Sequence, residues 1–213
     1  AEFRRRDEDI ETHTEISVSP EDDIELRRIT ITNYSDSPRI VEVTSYAEVV
    51  LAPTGQDLAH PAFSNLFVQT ELVRSRQAVL CTRRPRSAEE RPPWMLHLLT
   101  IQGDECGNMS FETDRVRFVG RGRTLVWPAA MVGVEPLSDT AGSVLDPIVS
   151  IRHVVCIQPN EKCRIDCVTG VAPSRDAAMA LADKYHDPRL SERVFDLAWT
   201  HSNAELHHLN AVE

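Results

Sequence analysis

The sequence predicts a mainly β protein, an antiparallel sandwich followed by two C-terminal helices. Runs with period-two alternation recur between turn signals from residue 11 to residue 171. The turns come at intervals that suit hairpins rather than β-α-β crossovers. Only after Pro173 does the pattern change to alanine-rich helical spacing.

The most informative stretch is residues 39–72. Val41, Val43, Ser45, Ala47, Val49 and Leu51 fall on one side of a two-residue period, with Glu42, Thr44, Tyr46 and Glu48 on the other. That spacing predicts one long, half-buried strand. Ala52-Pro53-Thr54-Gly55 breaks it, and after His60-Pro61 the Phe- and Val-rich run Ala62–Leu72 predicts a second strand across a long connection.

Upstream, residues 11–18 alternate polar and apolar, and Ser19–Asp23 turns the chain into a strand over Ile24–Thr32. The apolar phase slips there, from Ile24 and Leu26 to Ile29 and Ile31, which predicts a β-bulge at Arg27-Arg28. Asn33–Pro38 is a strong turn, so the strands on either side are expected to be antiparallel neighbours.

Downstream, strands are expected at Gln77–Thr82, Trp94–Ile101 and Ser110–Val119, the first two separated by a polar, Pro-rich loop. Thr124–Thr140 has no clean period and is long for an irregular segment in a compact domain unless it is functional. Val144–Ile157 follows, with Val149, Ile151, Val155 and Ile157 inward and His153 between them. Its partner, Lys162–Val171, places Cys163, Ile165, Cys167, Thr169 and Val171 on one face. Ser174 is a natural N-cap for Arg175–Tyr185, and Asp187-Pro188 opens a second helix. On that helix Phe195, Ala198, Trp199, Ser202, Leu206 and Leu209 recur at helical spacing, so Trp199 is expected to pack. The expected boundaries are a sandwich over 1–172 and a helical segment over 173–213.

Composition narrows the function. At 213 residues and 41% hydrophobic the chain can bury a sizeable core. A net charge of -10 argues against a surface that binds nucleic acid or anionic lipid by charge alone. The five cysteines are too few and too irregularly spaced for a disulfide framework, which predicts reduced thiols in a cytosolic setting. No apolar run approaches a membrane span, so no direct membrane contact is expected. The chain opens on Ala1-Glu2-Phe3, without Met, and is expected to be part of something longer.

Gly120-Arg121-Gly122-Arg123 is the best candidate binding loop. Its glycines allow close backbone approach, and the guanidiniums of Arg121 and Arg123 can hold hydroxyls or phosphate oxygens. A solvated turn carrying arginines is the equally simple alternative. Cys163 and Cys167, roughly 13 Å apart on a strand, cannot share a metal. His201, Glu205 and His208 share one side of the last helix but lack a further ligand, and read as an exposed polar face. His60 can cap, stack on a sugar or pack, and packing is the default. No cofactor fingerprint, nucleophile elbow or zinc motif occurs, so no cofactor or metal is expected.

TSYAEVVLAP, HPAFSNLFVQTE, VLCTRRPRSAEERPPW, Phe118-Val119-Gly120-Arg121, Leu145-Asp146-Pro147-Ile148, Thr169-Gly170-Val171-Ala172 and Phe195-Asp196-Leu197-Ala198-Trp199-Thr200-His201 carry a family resemblance over nearly the whole chain. The chain resembles the N-terminal β-domain of the cellobiose and chitobiose phosphorylases, glycoside hydrolase family 94. Within that family it is similar to the C-terminal module of cyclic β-1,2-glucan synthases. The resemblance implies a galactose-mutarotase-like super-sandwich lacking its first strands, then helices leading to an (α/α)6 catalytic barrel outside this chain. It implies no catalysis by the chain itself and a β-1,2-glucan or glucose oligosaccharide as the parent's ligand, with UDP-glucose as a donor used elsewhere. It also implies a homodimer in which a loop lent to the partner's site includes Arg121 and, more weakly, Arg123. The parent's expected location is the cytoplasmic face of the bacterial inner membrane. Two rivals remain at this point, a stand-alone β-glucan-binding module and the non-catalytic half of a split phosphorylase. The first requires exposed aromatics on one sheet face.

Overall fold

A computed structural model describes residues 1–209; the final residues of the expected helical segment, 210–213, lie outside it. In chain order the elements are β1 (Glu2–Asp7), β2 (Ile10–Val18), β3 (Ile24–Asn33), β4 (Arg39–Thr44), β5 (Ala47–Glu48), α1 (Thr54–Ala59), α2 (Pro61–Asn65), β6 (Val68–Val73), β7 (Ala78–Arg83), β8 (Trp94–Gln102), β9 (Asp104–Glu105), β10 (Ser110–Asp114), α3 (Arg115–Val119), β11 (Gly142–Ser143), β12 (Pro147–Ile157), β13 (Lys162–Ala172), α4 (Arg175–Tyr185) and α5 (Pro188–His208). The larger sheet runs β1-β2-β3-β13-β8-β7-β6-β11; the smaller runs β10-β12-β4, with β5 and β9 also on β12. Every pairing described is antiparallel.

Strand alternation sorts the side chains into four layers. Leu99, Ile151, Val155, Cys163 and Ile165 meet between the sheets. The opposite face of the larger sheet presents Leu26, Leu80, Leu98 and Val168 to Ala178, Ala182, Tyr185 and Val194 of α4 and α5. On the outer face of the smaller sheet, Ile148 and Tyr46 are covered by Phe118, Val119, Ala130 and Leu137. The segment from α3 to β11 thus forms a fourth layer. Helix starts follow the sequence signals: the Ser174 side chain accepts from Ala177 N–H and Asp187 from Arg189 N–H, with Pro188 in the first turn.

The strand expected over Val41–Leu51 is interrupted at Ser45-Tyr46, yet its register on β12 does not slip. Thr44 faces Arg152 and Ala47 faces Val149, so the alternation carries straight through the break. Ser45 N–H donates to the Ile151 carbonyl at 2.9 Å. The return bond from Ile151 N–H goes to Ser45 Oγ at 3.0 Å, while Ser45 C=O accepts from Ser150 Oγ at 2.6 Å. A side-chain hydroxyl therefore replaces one rung of the ladder.

Several expectations are corrected. No bulge occurs at Arg27-Arg28, since β3 keeps uniform register with both β2 and β13. The phase slip marks two different burials: Ile24 and Leu26 face the helices, whereas Ile29 and Ile31 face the space between the sheets. β3 and β4 are not neighbours but lie in opposite sheets. The Asn33 turn crosses between them because the Asn33 side-chain amide donates to the carbonyls of Ser37, Ile157 and Gln158. The run expected as a strand from Ala62 begins as helix α2, whose Pro61 sits in the first turn, and extends only from Val68. The expected strand over Ser110–Val119 stops at Asp114, whose side chain caps α3. Trp199 does not pack: it is 72% exposed, as Leu209 is at 71%.

Candidate functional site

The arginine loop grows out of α3. Asp114 Oδ1 accepts from Val116 N–H at 2.9 Å, and Phe118 and Val119 are buried as anchors. The Phe118 ring lies 4.8 Å from that of Tyr46. Gly120 ends the helix at φ +84°, and a Cβ there would stand 2.6 Å from Ala129 Cβ, so conformation and space both demand glycine. Beyond it Arg121 and Arg123 are exposed, and neither side chain makes a hydrogen bond or ion pair among the described residues, although Arg123 N–H donates to Gly120 C=O at 3.3 Å. The neighbouring arginines are engaged. Arg115 pairs with Glu48 at 2.9 Å and Asp146 at 3.6 Å, and Arg117 lies 3.9 Å from Asp114. The Tyr46 hydroxyl beside Glu48 is pushed up to about 12, by burial first and then by the carboxylate.

A few residues along the chain from Arg123 lies an apolar hollow of about 400 Å³ lined by Tyr46, Phe118, Leu125, Val126, Trp127 and Met131. Trp127 is 69% exposed and Val126 89% exposed. An exposed indole is suited chemically to stacking against a sugar ring, and forked guanidiniums on the same segment to holding hydroxyls.

Sequence reasoning did not find the two groups that hold this layer in place. Arg152, on the outer face of β12, is 2% exposed. It donates to Thr44 Oγ1 at 3.0 Å, to Glu135 C=O at 2.8 Å and to Ala130 C=O at 2.5 Å, and pairs with Glu42 at 3.2 Å. Glu112, also 2% exposed, accepts from Thr113 and Asp114 N–H and from the hydroxyls of Ser138 and Thr140. The only sequence signal of Arg152 is a charged residue inside a largely apolar strand, and Glu112 sits in the mostly polar run Ser110–Asp114 with no such signal. Arg152→Ala strands two loop carbonyls and the Glu42 carboxylate, and is expected to cost roughly 2–4 kcal/mol in urea unfolding.

A second cluster joins the sheets. His97 of β8 is buried, with Nε2 at 2.8 Å from Ser45 Oγ and Nδ1 at 2.9 Å from Thr169 Oγ1; Cys167 Sγ is 3.9 Å from Nε2. It lines a cleft of about 390 Å³ with Glu25, Arg27 and Tyr46. The composition suggests a nucleophile with its base, but the electrostatics do not. Burial, then the Arg27 charge, pulls His97 down to about 4, and burial pushes the Cys167 thiol up to about 12. Both groups are held neutral, so the cluster works as a hydrogen-bonded tie across the core.

His60 is exposed and makes no side-chain cap for α2, so it does not pack as expected. His201 Nε2 lies 3.6 Å from Glu205, and among the described residues no group of three side chains is placed to hold a metal. No described helix is long and apolar enough to cross a membrane.

Comparison with known proteins agrees with this architecture. Residues 1–188 match the supersandwich domain of glycosyl hydrolase 94. The chain is 37% identical over 209 residues to the cyclic beta-(1,2)-glucan synthase NdvB of Rhizobium meliloti (strain 1021), covering 98% of this chain and 7% of that protein. Among solved structures, a polysaccharide lyase aligns with 85% of this chain and 23% of its own at 14% identity and TM-score 0.48. A candidate aldose 1-epimerase from Klebsiella pneumoniae aligns with 86% of this chain and 52% of its own, at 10% identity and TM-score 0.36. The antiparallel layers, the terminal helices and the match along most of the chain place this protein in the glycosyl hydrolase 94 supersandwich family.

Proposed function

We propose that this chain is the supersandwich part of a cyclic β-1,2-glucan synthase, a non-catalytic domain that supports a phosphorylase-like catalytic barrel. The observation that carries the reading is the 37% identity to such a synthase over 98% of the chain. The protonation states support it, because the cluster most like a nucleophile and base is held neutral on both sides. In the parent, the working site lies in the barrel and the ligand is a β-1,2-glucan or glucose oligosaccharide. Arg121 and, more weakly, Arg123 contribute to sugar binding from the loop after α3, through a homodimer contact. The parent operates at the cytoplasmic face of the inner membrane, and this domain needs no cofactor.

The exposure of Trp127, on the same segment as Arg121 and Arg123, also favours direct sugar contact by the isolated domain. Both readings are tested together. In the full-length synthase, Arg121→Ala is expected to raise the acceptor KM roughly tenfold, the loss of one charge-assisted hydrogen bond, while leaving thermal unfolding unchanged. Unchanged kinetics would remove Arg121 from the site. Titration of the 213-residue chain with β-1,2-glucooligosaccharides separates the readings, since saturable binding supports the binding module and its absence the support role.

A further inference from the structure

We propose that Cys106 and Cys156 form a reversible cross-strand disulfide, a redox-responsive staple between the corner after β9 and strand β12. Asp104 pairs with Cys156 and Glu105 with Val155, and Cys106 N–H donates to Val154 C=O at 3.1 Å. Cys106 and Cys156 are therefore diagonal neighbours on one face of an antiparallel pair, a separation that an S–S bond spans once the exposed corner shifts slightly along β12. Slight burial first, and then the neighbouring Cys156 side chain, raises the Cys106 thiol above its ordinary value. That face is the outer one: Cys106 is exposed and Cys156 half-buried.

The backbone keeps the pair together. A Cβ on Gly107 would stand 3.0 Å from Val154 Cβ, so glycine lets the corner press directly on β12. The other cysteines do not compete. Cys81, Cys163 and Cys167 are buried, and burial pushes Cys163 up to about 11 and Cys167 up to about 12. Access therefore directs oxidation to the surface pair.

The oxidant is a low-molecular-weight disulfide such as oxidised glutathione. The Cys106 thiolate attacks one of its sulfurs, its S–S bond breaks, and one glutathione leaves as thiolate. The Cys156 thiolate then attacks Cys106 Sγ in the mixed disulfide, and the second glutathione leaves. The protein's two thiols are oxidised to one S–S bond, the small disulfide is reduced to two thiols, and the two protons released by the cysteines end on the departing thiolates. Closure fixes Glu105, which lies 3.6 Å from the buried His153.

The test uses the 213-residue chain equilibrated in glutathione buffers of increasing oxidised fraction, then blocked with N-ethylmaleimide and digested with trypsin. Cleavage gives peptides 87–115 and 153–162, which carry Cys106 and Cys156 as their sole cysteines. The expected result is one linked species of these two peptides, two hydrogens lighter than their sum, with the other cysteines blocked. It disappears on reduction and in both Cys106→Ser and Cys156→Ser, and the oxidised monomer melts roughly 5–10 °C higher. Glutathione on Cys106 without the link, a link between two copies of peptide 87–115, or no oxidation at all would each overturn the proposal.

Discussion

Replacing Asp166 by alanine is expected to destabilise the protein by about 3–5 kcal/mol, among the largest effects of any single substitution here. Asp166 is fully buried and Arg28 nearly so, and Arg28 Nε donates to Asp166 Oδ1 at 3.0 Å across the β3–β13 pair. The pair sits beneath α5, where the Phe195 ring stacks 4.6 Å from the guanidinium and Glu192 reaches it at 2.9 Å. Removing the carboxylate leaves a buried cation with one half-exposed partner. The double variant Arg28→Met/Asp166→Leu is expected to recover most of the loss, because it removes both desolvated charges. Urea unfolding of the three proteins measures this. A single-variant loss below 1 kcal/mol would show that Glu192 alone compensates Arg28.

The second large effect is a loss of stability in acid that depends on His97. Its folded value of about 4 lies below the ordinary 6.5, because burial and Arg27 disfavour the charged ring. Between those values the unfolded chain binds a proton that the folded chain does not. The contribution is therefore fully present above about pH 6.5, falls as pH drops toward 4, and flattens below it. Its size is roughly 3 kcal/mol. Subtracting the pH profile of His97→Gln from that of the parent protein isolates it from the carboxylates, among which Asp22 is held low by Lys184 and Tyr185 against its own burial. A difference profile that is flat between pH 4 and 6.5 would refute it.

What the sequence revealed and what it hid follow from the range of the forces involved. The alternation of Val41 to Leu51 is local, and it held even where the ladder breaks at Ser45. The caps at Ser174 and Asp187 are local too. The phase slip in β3 was open to misreading because Arg28 reads as a solvated residue until Asp166, far along the chain, is placed opposite it. The sheet reached after Asn33 likewise depends on carbonyls of Ile157 and Gln158. At the candidate site the glycines marked the loop. The Arg152 clamp stayed hidden, since its loop-carbonyl partners belong to a segment with no period of its own.

The layering carries one more consequence. The arginine loop covers the outer face of the smaller sheet, whereas α5 and its exposed Trp199 lie over the outer face of the larger one. Two sheets packed about 10 Å apart separate these surfaces. A body resting on the free flank of α5 and a ligand gripped by Arg121 thus approach from opposite directions. Simultaneous occupancy calls either for two separate bodies or for one that wraps around a sheet edge.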